Sequence, residues 1–293
     1  MRDLHFMMDY KNQEAVRKSL FALAESTFGI SFEAWYQKGF WNETYIPYSY
    51  VDGKQVIANV SVNILDWIID GETRKAVQIG TVMTRPDYRN RGLSSSLLAK
   101  VIEEYENRCD WMYLFANESV LDFYPKYGFQ PVEEKQFSMD YVVERRERRG
   151  RRIRKLDVND SADLATIYRL AQERIPNSRH FDTANSQGIF MFYCLNVFSE
   201  DLYYLEDKEI IAVCRQENGR IDLFDIVSGR EFDLAEVLDR LAEDHAGKVV
   251  FHYTPDHENL NLRAEKYEGN MFVRAKSQTI VSADFKHPVT GIA

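Results

Sequence analysis

The stretch RPDYRNRGLSSSLL, Arg85–Leu98, sets three arginines and one glycine directly ahead of a helical pattern. Leu93, Leu97, Leu98, Val101, Ile102 and Tyr105 recur at helical spacing and form one apolar stripe. The spacing predicts a helix that begins near Gly92 and runs to about Asn107. The first N–H groups of such a helix have no partner within it and carry the positive end of its macrodipole. Gly92 lets the backbone approach a ligand with no Cβ in the way. Arg89 and Arg91 add full positive charge, and Ser94, Ser95 and Ser96 offer hydroxyls in the first turn. Backbone donors, dipole and guanidinium groups together describe an anion site of phosphate type. A solvated turn ahead of an amphipathic helix accounts for this stretch, taken alone, about equally well.

The sequence on either side narrows the phosphate ligand. GxxxxGK[ST] is absent, which excludes a P-loop nucleotide site, and so is GxGxxG. Upstream, YIPYSYV runs into Asp52-Gly53, then QVIANVSVNILDWII, then a second turn at Asp70-Gly71-Glu72, then AVQIGTVMT. Asp-Gly between β-rich runs is a hairpin signal, so a helix over residues 11–28 precedes three antiparallel strands. Downstream come a strand, DWMYLFAN, a short helix near SVLDFYPKYG and a strand around QFSMDYVV. Gly80 sits mid-strand, a place where substrate or backbone approaches closely.

The chain has 293 residues, a length that suits two domains of roughly 100–200 residues. Apolar residues make up 45% and the formal net charge is -9. The acidic balance argues against general nucleic-acid binding and favours a cationic small molecule as substrate. The N-terminal run MRDLHFMMDY is neither a signal peptide nor a membrane span. Cys109, Cys194 and Cys214 are far apart and form no CxxC pair, against a disulfide framework or zinc site and for a reducing cytoplasm. His252 and His257 lack a third partner at metal-ligand spacing, so no metal is expected. The basic run RRERRGRRIRK, Arg145–Lys155, reads as a linker with Gly150 at its centre.

The second half repeats the element order of the first. DLATIYRLAQ matches the opening helix, LYYLEDKEIIAVCRQ matches the first hairpin, and RIDLFDIVS stands where AVQIGTVMT stands. DLAEVLDRLAEDHAGKVVFHYTPD then follows as helix and strand. Between Ser228 and Phe232 only GRE remains where the first copy has RPDYRNRG. Asp225, Glu231 and Asp233 put negative charge where phosphates would sit, and Tyr267 is the nearest counterpart of a tyrosine in the first copy's DFYPKYGF.

Arg89-Asn90-Arg91-Gly92-Leu93-Ser94 resembles the [RQ]-x-x-G-x-[GA] acyl-CoA signature of the GNAT superfamily of N-acetyltransferases, with Ser94 where Gly or Ala is usual. DFYPKYGF, Asp122–Phe129, resembles that family's FYxKxGF. The resemblance covers about Met1 to Val143. It implies an α/β (α+β) fold class: tandem GNAT folds, each a mixed, mostly antiparallel sheet flanked by helices, the second degenerate. The expected organisation is a catalytic domain at 1–143, a linker at 144–155 and a GNAT-like domain at 156–293. The resemblance further implies acetyl-CoA as co-substrate. The strand ending Val82-Met83-Thr84 would splay from its neighbour and bind the pantetheine arm through main-chain groups. N–H groups from Asn90, Arg91, Gly92, Leu93, Ser94 and Ser95 would hold the pyrophosphate beside the charges of Arg89 and Arg91, and Asn117 would approach the pantetheine or the departing thiol. Tyr124 would be the general acid. A phenol with pKa near ~10 holds at neutral pH the proton that a leaving thiolate needs.

The tandem arrangement is similar to the first two domains of Eis-type acetyltransferases. Those proteins carry a third, sterol-carrier-like domain and complete their site with the C-terminal carboxylate; none is expected after Ala293. The region FEAWYQKGFWNETYIPYSY is rich in aromatics, and Trp35, Phe40, Trp41, Tyr45 and Tyr48 are candidates to cage a cationic or aromatic amine, with ordinary packing as the alternative. Glu118 and Asp122 stand near the tyrosine motif as candidate bases, with plain surface charge or a water chain as alternatives. The expected activity is N-acetylation of a small-molecule primary amine by direct attack. Acetylation of a protein lysine or N-terminus, or a non-catalytic acyl-CoA sensor with a partner-binding second half, are the alternatives. A homo-oligomer is compatible with all of them.

Overall fold

The computed structural model describes residues 4–142, 153–242, 247–257, 260–276 and 284–293. The first half runs β1 (His5–Met8), α1 (Glu14–Phe28), α2 (Glu33–Gln37), β2 (Tyr45–Asp52), β3 (Gln55–Ile69), β4 (Glu72–Thr84), α3 (Leu93–Tyr105), β5 (Trp111–Phe115), β6 (Gln130–Pro131) and β7 (Glu134–Asp140). The second runs β8 (Ile153–Lys155), α4 (Ser161–Glu173), β9 (Phe181–Ala184), α5 (Gln187–Asn196), β10 (Leu202–Leu205), β11 (Ile210–Glu217), β12 (Arg220–Ser228), α6 (Leu234–Leu241), β13 (Lys248–Phe251), β14 (Arg263–Tyr267) and β15 (Met271–Ala275). The short helix expected near SVLDFYPKYG is instead two 3-10 turns, Glu118–Val120 and Tyr124–Tyr127. Pro125 inside the second of them has no N–H to extend a helix. Helix α3 begins at Leu93 as expected but ends at Tyr105, short of Asn107.

Two mixed, mostly antiparallel sheets result, each flanked by helices. The first has the order β1-β2-β3-β4-β5-β15-β6, with β9 also on β3; the second has the order β14-β7-β13-β12-β11-β10-β8. Asp70 and Gly71, with φ of 50° and 79°, make the tight turn between β3 and β4 that the Asp-Gly pair called for. The halves exchange strands. β7, from the first half, pairs antiparallel with β13 and β14 of the second sheet, while β15 pairs with β5 and β6 of the first. Of the basic run, residues 145–152 lie outside the described residues, and Ile153–Lys155 are the edge strand β8, paired with β10. β8 thus stands to β10 as β1 stands to β2.

Helix α3 packs on the first sheet and α6 on the second. Leu97, Leu98 and Val101 of α3 are fully buried against Val62, Val77 and Ile79, each burial contributing roughly 1.5–3 kcal/mol. Leu234, Val237, Leu238 and Leu241 do the same for α6. A third core joins the halves, uniting Leu20 and Trp35 with Ile167, Phe190 and Leu202. Trp35 Nε1 donates to the Gly188 carbonyl at 2.7 Å, fixing α2 against α5.

The last residues thread between the sheets. Lys286 and His287 are buried and held by Glu134: Lys286 Nζ at 3.0 Å and the His287 N–H at 2.9 Å. The Val289 N–H donates to the His252 carbonyl, and Thr290 Oγ1 donates to Asp225 at 2.5 Å. This segment lies beside β12, next to the place where β12 and β13 part after Leu223 and Phe251.

Candidate active site

The parallel pair β4 and β5 is joined only from Ala76 to Gln78 and from Trp111 to Tyr113. Beyond that the strands diverge. On the other side of β4 the register with β3 shifts between Asn59 and Ser61, where Thr81 takes a φ of 43°. Past this bulge Met83 and Thr84 still pair with Asn59 and Ala58 of β3, while the edge of Val82-Met83-Thr84 that faces β5 has no strand partner. A cleft of about 900 Å³ opens there, lined by Val82, Met83 and Thr84, by Arg89 through Ser95, and by Asn117 and Tyr124. All twelve residues singled out in the sequence therefore meet in one cavity.

The loop at the start of α3 is built to present donors. Asn90 and Gly92 both take left-handed φ, 60° and 73°, and Gly92 caps the helix with no side-chain acceptor. Among the described residues, no acceptor meets the N–H groups from Asn90 to Ser95; the first helical bond is Ser96 N–H to the Gly92 carbonyl at 2.9 Å. The guanidinium groups of Arg89 and Arg91 have no carboxylate partner among those residues. They bond only main-chain carbonyls, Thr84 at 3.3 Å and Asp87 at 2.8 Å. Ser94 is tied to Thr84 through hydroxyls at 2.7 Å, and Ser96 to Tyr50 at 2.8 Å, leaving Ser95 as the hydroxyl free for a ligand. Orphan donors, two unpaired cations and a glycine with open space beside it fit a pyrophosphate.

The corresponding helix of the second half is closed. Asp233 caps α6 by accepting from the Ala235 N–H at 2.9 Å, so a carboxylate already occupies the donor end. Asp225 does not present its charge to a ligand, contrary to the sequence reading. It is fully buried and bonded by Arg174 at 2.7 and 2.9 Å, by Asn177 and by Thr290. Tyr267 lies in β14 under the Lys286 ammonium, 3.3 Å from its ring centre.

Tyr124 is 5% exposed and its ring meets Phe129 and, from the exchanged strand β15, Phe272. Its hydroxyl makes no hydrogen bond among the described residues, and burial pushes its pKa up to about 12. It therefore keeps its proton well above neutral pH and faces the cleft as a donor. Glu118 and Asp122 are exposed and do not line the cavity.

Of the aromatic candidates, Trp35 and Tyr45 reach the cleft. Phe40 and Trp41 are core, packed on Tyr168 and Trp35. Tyr48 points to the opposite face, bonded to Glu104 and Tyr105 of α3, because alternate strand residues face opposite ways. The sequence reading missed Phe115, Ile189, Phe192 and Tyr193, and also Ile292 and Ala293, which line the same cavity. A Cβ at Gly80 would lie 3.1 Å from the Ala293 main-chain oxygen, which is the close approach that a mid-strand glycine signals. Among the described residues no cluster of His, Cys, Asp or Glu could hold a metal; His252 is engaged by Asp222 at 2.7 Å. Among the described residues no helix is long and apolar enough to cross a membrane.

A splayed parallel strand pair, a donor-lined helix start and a buried tyrosine meet in one cleft. Residues 12–132 match the family model for the acetyltransferase (GNAT) domain. A protein of unknown function from Enterococcus faecalis V583, described as a probable N-acyltransferase, superposes with a TM-score of 0.61 at 14% identity, covering 93% of this chain and 72% of that one. Eis1 from Mycobacterium abscessus gives a TM-score of 0.57 at 13% identity, covering 93% and 73%. A GCN5-related N-acetyltransferase from Kribbella flavida gives 0.55 at 14%, covering 93% and 71%. These likenesses establish the fold. No curated protein matches the chain.

Proposed function

We propose that the chain transfers an acetyl group from acetyl-CoA to the primary amine of a small molecule by direct attack, with Tyr124 as the general acid. The observation that carries this is the convergence of the unpaired Asn90–Ser95 donors, the splayed end of β4 and the Tyr124 hydroxyl on one cleft. Asn90 through Ser95, with Arg89 and Arg91, hold the pyrophosphate. Main-chain groups of Val82, Met83 and Thr84 take the place of a strand partner for the pantetheine amides. Asn117 stands at the end of β5 beside the reacting sulfur.

Tyr124 gives up its phenol proton to the departing sulfur as the N–C bond forms and the C–S bond breaks. The surplus proton of the amine leaves to water, and the phenolate is reprotonated from solvent. The Ala293 main-chain oxygen, close to Gly80, accepts an N–H of the amine and so turns the nitrogen lone pair towards the acetyl carbon. The organisation we propose is two GNAT-like halves, 1–143 and 156–293. The second binds no CoA because Asp233 fills the donor end of its helix. Three buried thiols and the absence of a disulfide among the described residues accord with a reducing cytoplasm.

The test is a panel of primary amines with acetyl-CoA, read as free-thiol release and as acetylated product by mass. Release that requires an amine supports transfer. Tight acetyl-CoA binding with no release for any amine would replace transfer by the sensor reading.

A further inference from the structure

The acceptor end of the cleft has an unusual chemistry, and the following rests on the transferase reading above. Its walls are aromatic: Phe32, Trp35 and Tyr45 from the first half, Phe115 from β5, and Phe192 and Tyr193 from α5. No aspartate or glutamate side chain lines the cavity among the described residues, although the chain as a whole is acidic. Among the described residues its charged side chains are Arg89 and Arg91, at the pyrophosphate end. Tyr193 is itself neutral, its pKa pushed up to about 12 by burial.

One polar group at this end has no partner. Asn63 lines the cleft, is 4% exposed, and its Nδ2 finds no acceptor. Directly across the ladder stands Gln78, fully buried, with neither Nε2 nor Oε1 bonded. Gln78 and Gly80 are two apart on β4, so the amide pair shares a face with the close approach of Ala293. Buried amides are normally satisfied, and an unsatisfied one beside a cavity points to a ligand group that bonds it.

We infer that the acceptor is a monoamine on an aromatic or similarly flat apolar body, with a neutral oxygen that accepts a hydrogen bond from Asn63 Nδ2. A polycationic acceptor is disfavoured on the same grounds. Each further ammonium would lose its water against aromatic walls with no carboxylate side chain to pair it. The same apolar surroundings favour the uncharged form of the reacting amine, which is the nucleophile.

The experiment compares 2-phenoxyethylamine, its methylene counterpart 3-phenylpropylamine, tyramine, 2-phenylethylamine, spermidine and kanamycin, with wild type and Asn63→Leu. The readouts are kcat/KM from thiol release and, independent of turnover, the melting-temperature shift each amine gives in the presence of CoA. The aromatic monoamines should exceed spermidine and kanamycin by about a hundredfold in kcat/KM. At least one oxygen-bearing amine should exceed its oxygen-free counterpart by about tenfold, as one buried hydrogen bond allows. In Asn63→Leu that ratio should fall to about one. Spermidine or kanamycin used as well as the aromatic amines would overturn the inferred class while leaving acyl transfer intact. A ratio unchanged in Asn63→Leu would overturn the role of Asn63. Melting shifts confined to aromatic monoamines, with no thiol release, would support the inferred ligand and count against transfer alone.

Discussion

Replacing Gly92 by glutamate separates the anion site from the fold that carries it. Gly92 has φ +73°, and no atom lies within 4 Å of where its Cβ would stand. A side chain is therefore strained by backbone conformation alone, which costs roughly 1–2 kcal/mol of stability. Gly92→Ala has that cost and adds an uncharged methyl group where the ligand approaches the backbone. Glutamate adds one negative charge at the donor end of α3. At about 5 Å and an effective dielectric of about 40, each pyrophosphate charge opposes it by ~1.7 kcal/mol, so two oppose it by ~3 kcal/mol. That corresponds to about a hundredfold weaker acetyl-CoA binding. Calorimetry on both variants, with melting curves as control, should give equal stabilities, a modest loss of affinity for Gly92→Ala from its methyl group and a further hundredfold loss for Gly92→Glu from its charge. Unchanged affinity in Gly92→Glu would refute the placement of the pyrophosphate.

Gly80→Ala puts a methyl group 3.1 Å from the Ala293 oxygen, so the tail end must shift; the amine KM should rise several-fold while acetyl-CoA affinity holds, and unchanged steady-state kinetics would exclude Ala293 from the acceptor site. His287 is fully buried and neutral, its Nδ1 beside the Pro288 carbonyl at 3.0 Å and its Nε2 beside the Tyr113 hydroxyl at 3.1 Å, with its pKa lowered to about 3. Its folded pKa is depressed, so the unfolded chain takes up the proton first. Stability is then lost as pH falls from about 6.5 towards 3, by about 1.4 kcal/mol per pH unit, and urea midpoints in His287→Gln should show a shallower acid slope. Titration of the whole chain with CoA should give one molecule per chain, because Asp233 closes the second helix; two would contradict that reading.

The core of the site was legible because its signals are local. Arg89, Arg91, Gly92 and the α3 stripe sit within one loop and helix, and Tyr124 lies in one short motif. The exchange of β7 and β15 was not legible. An alternating strand states which of its faces is buried and says nothing of which sheet it joins, so Glu134–Asp140 read as the end of the first half while pairing in the second. Tyr48 and Tyr45 look alike in the sequence, and only their parity along β2 sends one to α3 and the other to the cleft. Helix α5, QGIFMFYCLN, is apolar on nearly all sides because it is buried between the halves, so no stripe announced it. Ile292 and Ala293 reach the cleft only through the threading of residues 285–291, a contact fixed by Glu134, His252 and Asp225 from three separate strands or strand ends.

The central claim is that Tyr124 supplies the proton to the leaving sulfur. Tyr124→Phe keeps the ring against Phe129 and Phe272 and removes only the hydroxyl, which bonds no other described residue. Turnover of the best amine at saturating acetyl-CoA should fall by roughly 10²–10⁴-fold, with acetyl-CoA affinity near wild type. Equal turnover in Tyr124→Phe and wild type would contradict the account and leave Tyr124 as a packing residue.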